Sequence, residues 1–475
     1  MTIEDLVTEN ERLHAETERL RTENATLKQR LAELETVVHE LKEQLEAAQR
    51  AGKRPATPFS RGAPKAKPKK PGRKKGHRAA HRPPPEHVDQ VEEAPLPSSC
   101  PDCGGTVIED EVQVQYQEDI PRPIPTIVTQ FNVHVGHCEQ CWHRMQGRPA
   151  DQTSDALGAA AIQIGPNALG WAAEMKHGLG VSYGKVARLL ATSFGLQLDR
   201  STVARADERL ANRLVPTYHG LLLQLRASAV VHVDETGWKV AGRNAWLWVF
   251  TNESLSVYTI DPTRAHEVVE RILGADFAGV LGGDCFLAYD ALKTYTQSKC
   301  AGHLLRRCAE ISESKSGRAV RFSQQVARLL RAAITLKQRQ ADQKISERGY
   351  AVACGRLEAA LDRLLAGHYT DPDNARLAKL LRKQRRHLLT FLYVAAMAPT
   401  NNAAEREIRP AVLIRKTNGC NRSPIGAQTH SILTSVIRTC QKHGRDFVNL
   451  MKQVLRLPSP MALEIVDEAT PPQGP

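Results

Sequence analysis

Leucine recurs at every seventh position near the start of the chain, from Leu6 to Leu41. The positions four residues after each leucine complete a heptad pattern, and they include the polar residues Asn10 and Asn24. Because no Pro or Gly interrupts the first 50 residues, the pattern predicts a dimerising coiled coil over residues 1–50. An intramolecular helical hairpin is the alternative, but buried asparagines favour a parallel dimer because each pairs best with its own copy.

A second pattern is the apolar run at residues 230–233, which ends abruptly on Asp234, Glu235 and Thr236. A continuous apolar run predicts a strand that is covered on both faces and that terminates at Asp234. The simplest alternative is that Asp234 only begins a turn.

The residues that follow predict three more strands and a helix. Two strands rich in aromatic and β-branched residues follow at 244–252 and 255–264, a helix at 265–273, and an apolar strand that ends on Asp284. The order strand, strand, strand, helix, strand is typical of the ribonuclease H-like fold, in which the first and fourth strands are neighbours. Asp234 and Asp284 would then lie side by side.

Two neighbouring carboxylates repel each other unless a divalent cation lies between them. Oxygen ligands favour Mg²⁺ or Mn²⁺ over Zn²⁺. A third acid is Glu405, in a helix that Asn401 or Asn402 is placed to cap and that carries several basic residues: Arg406, Arg409, Arg415 and Lys416. The alternative is an ordinary surface helix with a glutamate in its first turn, where the helix dipole favours it.

Four cysteines form two CxxC pairs, Cys100 with Cys103 and Cys138 with Cys141. Each pair has the spacing with which two thiolates bind one ion, and together they complete a tetrahedral structural zinc site. The intervening segment contains stretches rich in β-forming residues, at 111–118 and 127–138, so residues 96–150 are predicted to form a zinc ribbon. Redox chemistry of the CxxC pairs is the alternative.

Residues 155–225 are predicted to be helical. A helix around Val186, Leu189 and Leu190 is followed by a turn at Gly195 and by a second, polar-faced helix that Ser201 or Thr202 can cap. This is the helix-turn-helix pattern of DNA-binding proteins, although an ordinary helical hairpin would show it as well.

The charge of the chain is unevenly distributed. The formal net charge is +13, and residues 51–85 contain 12 Lys and Arg and no acid, so residues 51–95 are predicted to form a disordered basic linker that binds a polyanion such as nucleic acid. A solvated tail is the alternative. No apolar run is long enough to cross a membrane, and ten cysteines without a signal peptide predict a cytoplasmic protein.

Four segments together resemble the DDE transposases of bacterial insertion sequences, in particular the family named for insertion sequence sixty-six. They are "HVDETGWKV", "GGDCFLAYD", "KCAGHLLR" and "TNNAAEREIRPAVLIRKTNG". The leucine repeat, the Pro/Lys/Gly linker and the "CPDCGG" knuckle also match this family's organisation, and the resemblance covers roughly residues 70–445. Cys285 departs from the glycine that is more usual after the second acid, and "CAGHLL" is shorter than the aromatic version.

The resemblance implies that Asp234, Asp284 and Glu405 form a catalytic triad that binds Mg²⁺ or Mn²⁺. It also places His303 where related enzymes keep an auxiliary catalytic histidine, although a histidine satisfied in the core or at the surface fits the sequence equally. Asp290 and Glu235 are the rival acids for the triad.

The function that follows is that of a transposase. It would bind the terminal inverted repeats of an insertion sequence and catalyse metal-dependent DNA cleavage and strand transfer into target DNA. Its partners would be double-stranded DNA, a second copy of the chain (or more) through the leucine repeat, and companion proteins of the same element. The alternative is a non-catalytic DNA-binding relative that acts as a repressor or competitor.

The predicted fold is therefore multidomain, with an α/β ribonuclease H-like catalytic core. In order, the segments are a coiled coil (1–50), a basic disordered linker (51–95), a zinc ribbon (96–150), a helical DNA-binding region (155–225), the first part of the core (226–315), a helical insertion (316–397), the last part of the core with the catalytic glutamate helix (398–450), and a C-terminal tail (451–475).

Overall fold

The structure, a computed structural model, describes residues 3–53, 85–91, 93–99, 101–108, 110–116, 124, 126–157, 163–457 and 459–466. The chain divides into two compact units, Met1–Gln90 and Val91–Pro475. Among the helices in these ranges, none combines the length and the apolar character that crossing a bilayer requires.

The first unit contains one long helix, α1 (Ile3–Lys53). The chain does not turn back within it, so the alternative of an intramolecular hairpin is wrong. The heptad leucines whose side chains are described, from Leu13 to Leu41, are each at least 50% exposed. The helix therefore presents a stripe of apolar side chains to solvent. Most of the predicted basic linker, residues 54–84, lies outside the described residues.

The second unit is built on a mixed five-stranded sheet with the order β5-β4-β3-β6-β7. Strands β3, β4 and β5 form an antiparallel meander, and β6 and β7 are added in parallel beside β3. The strands are β3 (Val230–Val240), β4 (Arg243–Thr251), β5 (Ser256–Asp261), β6 (Val280–Gly283) and β7 (Thr296–Lys299). Strand β7 was not predicted from the sequence.

Asp234 does not end its strand, so that prediction is wrong. Strand β3 continues to Val240 because its second half pairs with β4, from His232 opposite Thr251 to Val240 opposite Arg243. Its parallel neighbour β6 ends earlier, with Gly282 opposite His232 as the last pair. Asp234 therefore lies just past the carboxyl end of the parallel pairing, where β6 turns away.

Both faces of the sheet are covered by helices. Val231 and Val233 of β3 point into the larger core, and alternate residues such as Val230 point to the opposite face. The first face packs against α4 (Arg200–Arg213), α5 (Val215–Arg226), α6 (His266–Leu273), α12 (Pro424–Lys442) and α13 (Phe447–Arg456). The second packs against α7 (Ala301–Ser314) and α11 (Asn402–Asn418).

Two predicted boundaries do not separate independent parts of the chain. Helices α4 and α5, which were predicted to belong to a separate DNA-binding region, bury leucines in the same core as the sheet. The predicted tail at 451–475 begins inside α13, and Met451 and Ile465 are buried in that core. Both segments are needed to cover one face of the sheet.

Helix α2 (Pro166–Ala173) continues as a π-helical turn, Glu174–Gly178, and precedes α3 (Tyr183–Phe194). Helix α3 ends at Gly195, whose φ of 70° is the left-handed conformation that glycine adopts at least cost. Helix α4 then begins, but Asp199 caps it and not Ser201 or Thr202, because the Asp199 carboxylate accepts the Ser201 backbone N–H at 2.7 Å.

Three long helices lie in the predicted insertion: α8 (Arg321–Ala341), α9 (Glu347–Ala366) and α10 (Pro372–Lys383). Their apolar faces pack with α7 into one core.

The segment of the cysteine pairs has less regular structure than predicted. Within its described residues, the only strands are β1 (Val135–His137) and β2 (Arg144–Gln146), which form a short hairpin. The strands expected at 111–116 and 127–134 are absent, so that part of the ribbon prediction is wrong. Polar residues alternate with apolar ones there, but no described core lies beneath them to bury the apolar side chains.

Candidate active site

Three acidic residues converge at the carboxyl end of β6. Asp234 lies on β3, Asp284 directly follows β6, and Glu405 lies in the first turn of α11. Side chains of a strand alternate between its faces, so Asp234 shares a face with His232, and α11 packs on that face. A strand and a helix thus position Asp234 and Glu405, and Asp284 is placed by the end of β6.

Asn401 joins these elements. Its side-chain oxygen accepts a hydrogen bond from His232 Nδ1 at 3.1 Å, and its amide nitrogen donates to the Val233 carbonyl at 2.8 Å. Its backbone N–H donates to Cys300 Sγ at 3.1 Å, and its carbonyl accepts the Glu405 N–H at 3.0 Å. With 2% exposure, Asn401 connects β3, the start of α7 and the start of α11.

Gly282 is required by this arrangement. A Cβ placed there would lie 2.7 Å from His232 Nδ1 and would also clash with Met397 Cε. Only glycine lets the His232–Asn401 pair pass so close to β6.

The carboxylates interact electrostatically. Burial above all, and then the negative charges of Glu235, Asp284 and Glu405, together raise the pKa of Asp234 to about 7, against a hydrogen bond from the Glu235 N–H. Asp234 and Asp284 each accept a backbone N–H, at 2.9 and 2.8 Å, and within the described residues neither has a cationic partner. Asp284 interacts electrostatically with the buried Lys299, but the two groups form no ion pair within the described residues.

Glu405 has two further neighbours on α7. His303 Nδ1 lies 3.7 Å from Glu405 Oε1, and Arg306 donates to the same oxygen at 3.1 Å and to His303 Nε2 at 3.3 Å. Burial and the Arg306 charge lower the pKa of His303, so the ring is neutral near pH 7. The structure therefore brings His303 beside Glu405 and within electrostatic reach of Asp284.

The two rival acids have their own partners. Glu235 points to the opposite face of β3, where Arg264 donates to it at 2.6 Å and Tyr289 at 2.7 Å. Asp290 pairs with Lys383 at 2.7 Å and also accepts from Gln384. Burial would raise the pKa of Asp290, but these two hydrogen bonds outweigh it and lower the pKa.

The chemistry of the three acids suits a divalent cation such as Mg²⁺, but their carboxylate oxygens do not all lie within 4.8 Å of one another. Their donor atoms are all oxygens, they come from three different elements, and their mutual repulsion favours a cation between them. Asp234, Asp284 and Glu405 are the residues that would hold it.

The cysteine pairs fit zinc only in part. Cys138 and Cys141 lie in the turn between β1 and β2, and hydrogen bonds from the Cys141 and Gln140 N–H groups and from the Cys141 thiol lower the pKa of Cys138. Within the described part of the chain, Cys103 does not join them in a cluster of metal-binding size. Cys100 lies outside the described residues.

Sequence reasoning missed several residues of this site. Asn401 was interpreted as a helix cap, yet its side chain makes no capping bond and binds β3 instead. Its asparagine type and position before the helix were visible, but its partners His232 and Val233 are more than 160 positions away along the chain. Arg306 gave no signal in the sequence beyond its charge.

Replacing Asn401 by alanine is expected to lower the free energy of unfolding by about 2–4 kcal/mol, because the Val233 carbonyl and His232 would be left buried without partners. Denaturant titration of the full chain measures this. Asn402→Ala is the matched control, since Asn402 is exposed and its replacement should change stability by less than about 0.5 kcal/mol. Equal effects of the two substitutions would show that Asn401 is not an anchor.

Replacing Asp234 by asparagine is expected to stabilise the metal-free protein at pH 8, by roughly 2–4 kcal/mol. The folded-state pKa of about 7 lies above the ordinary value of 3.8, so ionising Asp234 costs free energy that grows as the pH rises from about 4 to about 7 and stays at its full value above that. The advantage of Asp234→Asn should shrink as the pH falls from 8 to 5, as followed by urea titrations at several pH values.

Asp290→Asn should show the opposite sign. The pKa of Asp290 is lowered, so its contribution is present at neutral pH and is lost as the pH falls, and the substitution should cost about 0.5–1 kcal/mol at pH 8. If both substitutions destabilised the protein equally at pH 8, the carboxylate repulsion inferred at Asp234 would be absent.

Two comparisons with known proteins bear on this site. The family model described as transposase, IS66 family, matches residues 161–429, a range that includes Asp234, Asp284, His303 and Glu405. The chain is also 23% identical over 402 residues to an uncharacterized protein, y4qI, from Sinorhizobium fredii (strain NBRC 101917 / NGR234). That alignment covers 78% of this chain and 72% of the relative.

Proposed function

Because the chain belongs to the IS66 family of transposases, we propose that it binds the terminal inverted repeats of an insertion sequence and catalyses metal-dependent DNA cleavage and strand transfer. Asp234, Asp284 and Glu405 would be its catalytic triad. The observation that carries the proposal is the convergence of these three side chains, from β3, the end of β6 and the first turn of α11, at one end of the sheet.

The sheet supports the proposal that the core is ribonuclease H-like. Its central strand β3 has an antiparallel neighbour on one side and a parallel neighbour on the other, and Asp234 and Asp284 come from this parallel pair. Strands fix the separation of two carboxylates better than loops do, which suits a site that must hold two cations close together.

Two divalent cations, when bound, would act as Lewis acids that activate the attacking oxygen and stabilise the leaving oxygen of a phosphoryl transfer. The chain's own residues would hold and orient the reactants. The three carboxylates would fix the cations, and neutral His303 could accept or donate a proton beside Glu405. Arg406 and Arg409, on the exposed side of α11, would bind phosphates of the DNA.

Helices α3 and α4 support a DNA-binding role for the helical region. The side of α4 that faces away from the core carries Arg200, Ser201, Arg205, Arg209 and Asn212, all exposed. Arginine and asparagine side chains on one helix face suit contacts with base edges and phosphates in the major groove. We propose that α4 is the recognition helix of a helix-turn-helix.

The remaining proposals concern assembly. The turn of Cys138 and Cys141 supports a structural zinc site that Cys100 and Cys103 complete.

The exposed leucine stripe of α1 supports a parallel dimer through residues 1–50, since a second copy would bury it. Sedimentation of the full chain should give a dimer, and a Leu20→Pro, Leu27→Pro double variant should sediment as a monomer.

The experiment that tests the proposed function is a cleavage assay on linear DNA that carries the element's own ends. Cleavage should require added Mg²⁺ or Mn²⁺ and should release the element end with a 3′-hydroxyl. Specific binding to the ends without cleavage in either metal would favour the alternative, a non-catalytic DNA-binding relative that acts as a repressor or competitor. Failure to bind the ends would contradict both.

A further inference from the structure

A second set of metal-binding atoms lies beside the three acids. Cys300 Sγ, a ring nitrogen of His303 and a carboxylate oxygen of Glu405 all lie within 4.8 Å of one another. Cys300 precedes α7 and His303 lies three residues later, so the first turn of the helix brings both side chains to one side. Helix α11 contributes Glu405 from across the site.

Two further observations indicate that this is an organised site. His303 Nδ1 is a buried atom with no hydrogen-bond partner among the described residues, and Glu405 Oε1 lies 3.7 Å from it. Cys300 is buried, and its sulfur is held in place by the backbone N–H of Asn401 at 3.1 Å. Asn401 also holds α11 against β3, so the positions of Cys300 and Glu405 depend on the same residue.

The donor atoms determine which cation fits. One sulfur, one nitrogen and one oxygen suit Zn²⁺, whereas Mg²⁺ prefers oxygen ligands alone. Tetrahedral zinc with ordinary bond lengths places its donor atoms about 3.3–3.7 Å apart. The separation of His303 Nδ1 and Glu405 Oε1, 3.7 Å, lies within a few tenths of an ångström of that geometry.

We propose that Cys300, His303 and Glu405 form a zinc site, separate from the cysteine pairs, and that zinc bound there inhibits the transposase. The site offers three protein ligands and leaves one position for water. Inhibition follows because Glu405 belongs to both sets of ligands and cannot serve both. A zinc ion held towards α7 would withdraw Glu405 from the cations at Asp234 and Asp284. The inhibition part of this proposal rests on the proposed function, whereas the zinc-binding part does not.

Arg306 should compete with zinc. Its guanidinium donates to both His303 and Glu405, and its positive charge opposes a cation at the same place. Its side chain is 61% exposed, so it can turn into solvent when zinc binds. Removing this charge should therefore strengthen zinc binding.

The binding test uses the full chain and four variants. Zinc is titrated against a competing chelator, and Co²⁺ is then added to detect the charge-transfer absorption of a thiolate–cobalt bond. Cys300→Ser is compared with Cys308→Ser, which removes another buried thiol from the same helix. Arg306→Gln is compared with Arg307→Gln, which removes the neighbouring exposed charge.

The native chain and Cys308→Ser should bind one zinc ion more than Cys300→Ser does. Arg306→Gln should bind that ion about tenfold more tightly than the native chain, and Arg307→Gln should change its affinity less. Equal zinc content and equal cobalt spectra in the Cys300→Ser and Cys308→Ser proteins would overturn the site. Any zinc held by the cysteine pairs is common to both proteins and cancels in the comparison.

Inhibition is measured as the ratio of Mg²⁺-dependent cleavage with and without zinc, taken separately for each variant. This ratio should fall in the native chain and in Cys308→Ser at zinc concentrations that leave it unchanged in Cys300→Ser. An equal fall in both variants would overturn the regulatory half. If no chain cleaves DNA in Mg²⁺ without zinc, the proposed function fails, while the zinc count still decides whether the site exists.

Discussion

Asp234→Asn, Asp284→Asn and Glu405→Gln are each expected to reduce DNA cleavage by a factor of about a thousand or more. Each substitution keeps the shape of the side chain and removes a negative charge that would hold the cations. Binding to the element's ends should remain near that of the native chain, since it depends on basic residues and helices elsewhere. Cleavage and gel-shift assays on the same DNA measure the two effects separately.

Glu235→Gln and Asp290→Asn are the controls for the triad. Glu235 binds Arg264 and Tyr289 on the other face of β3, and Asp290 binds Lys383, so both variants should retain measurable cleavage. If Asp284→Asn cleaved DNA normally while Asp290→Asn did not, the second acid of the triad would be Asp290.

The affinity for DNA is expected to fall about a thousandfold between 50 and 200 mM salt, provided that at least about six phosphates are contacted. Residues 51–85 carry 12 Lys and Arg and no acid, which is ample for such contacts. Each phosphate contact releases bound counterions, and the slope of log affinity against log salt is roughly −0.9 per contact. Binding titrations at several salt concentrations measure this slope, and a flat response would show that the basic run does not touch DNA.

The contribution of particular arginines to that slope can be measured by substitution. Arg406 and Arg409 have no ion-pair partner among the described residues and lie on the exposed side of α11, so Arg406→Gln with Arg409→Gln should lower the slope by about two contacts. Arg376 is a matched exposed arginine, but it is already paired with Asp373. Arg376→Gln should leave the slope unchanged, and an equal loss in both variants would argue against a specific contact by α11.

The acids illustrate what could be predicted from local patterns. The apolar runs before Asp234 and Asp284 predicted strands, and both strands are present as parallel neighbours. The end of β3 was predicted wrongly because Asp234, Glu235 and Thr236 are polar, whereas pairing with β4 keeps these residues in the sheet. The identity of a residue does not reveal a partner strand that satisfies its backbone.

Strand β7 shows the converse error. Its sequence, Thr296–Lys299, is polar and therefore gave no strand signal, yet Gln297 and Lys299 are buried. Lys299 donates to Gln297 at 2.9 Å, and Gln297 donates to the Tyr289 carbonyl at 2.7 Å. A buried polar strand is tolerated because these hydrogen bonds satisfy its side chains, and such bonds depend on neighbours that the local sequence does not show.

The sequence by itself determined the periodic elements and the acids that lie in or directly after them. The heptads of α1, the apolar strands and the helix of Glu405 follow from spacings of two to seven residues, which act locally. Only the tertiary structure decided which acids share a site. Glu235 and Asp234 are adjacent, but strand alternation turns them to opposite faces, and Asn401 brings Glu405 to Asp234 through hydrogen bonds across about 170 residues. Contacts between residues so distant along the chain form only in the folded protein, so no local pattern of residues encodes them.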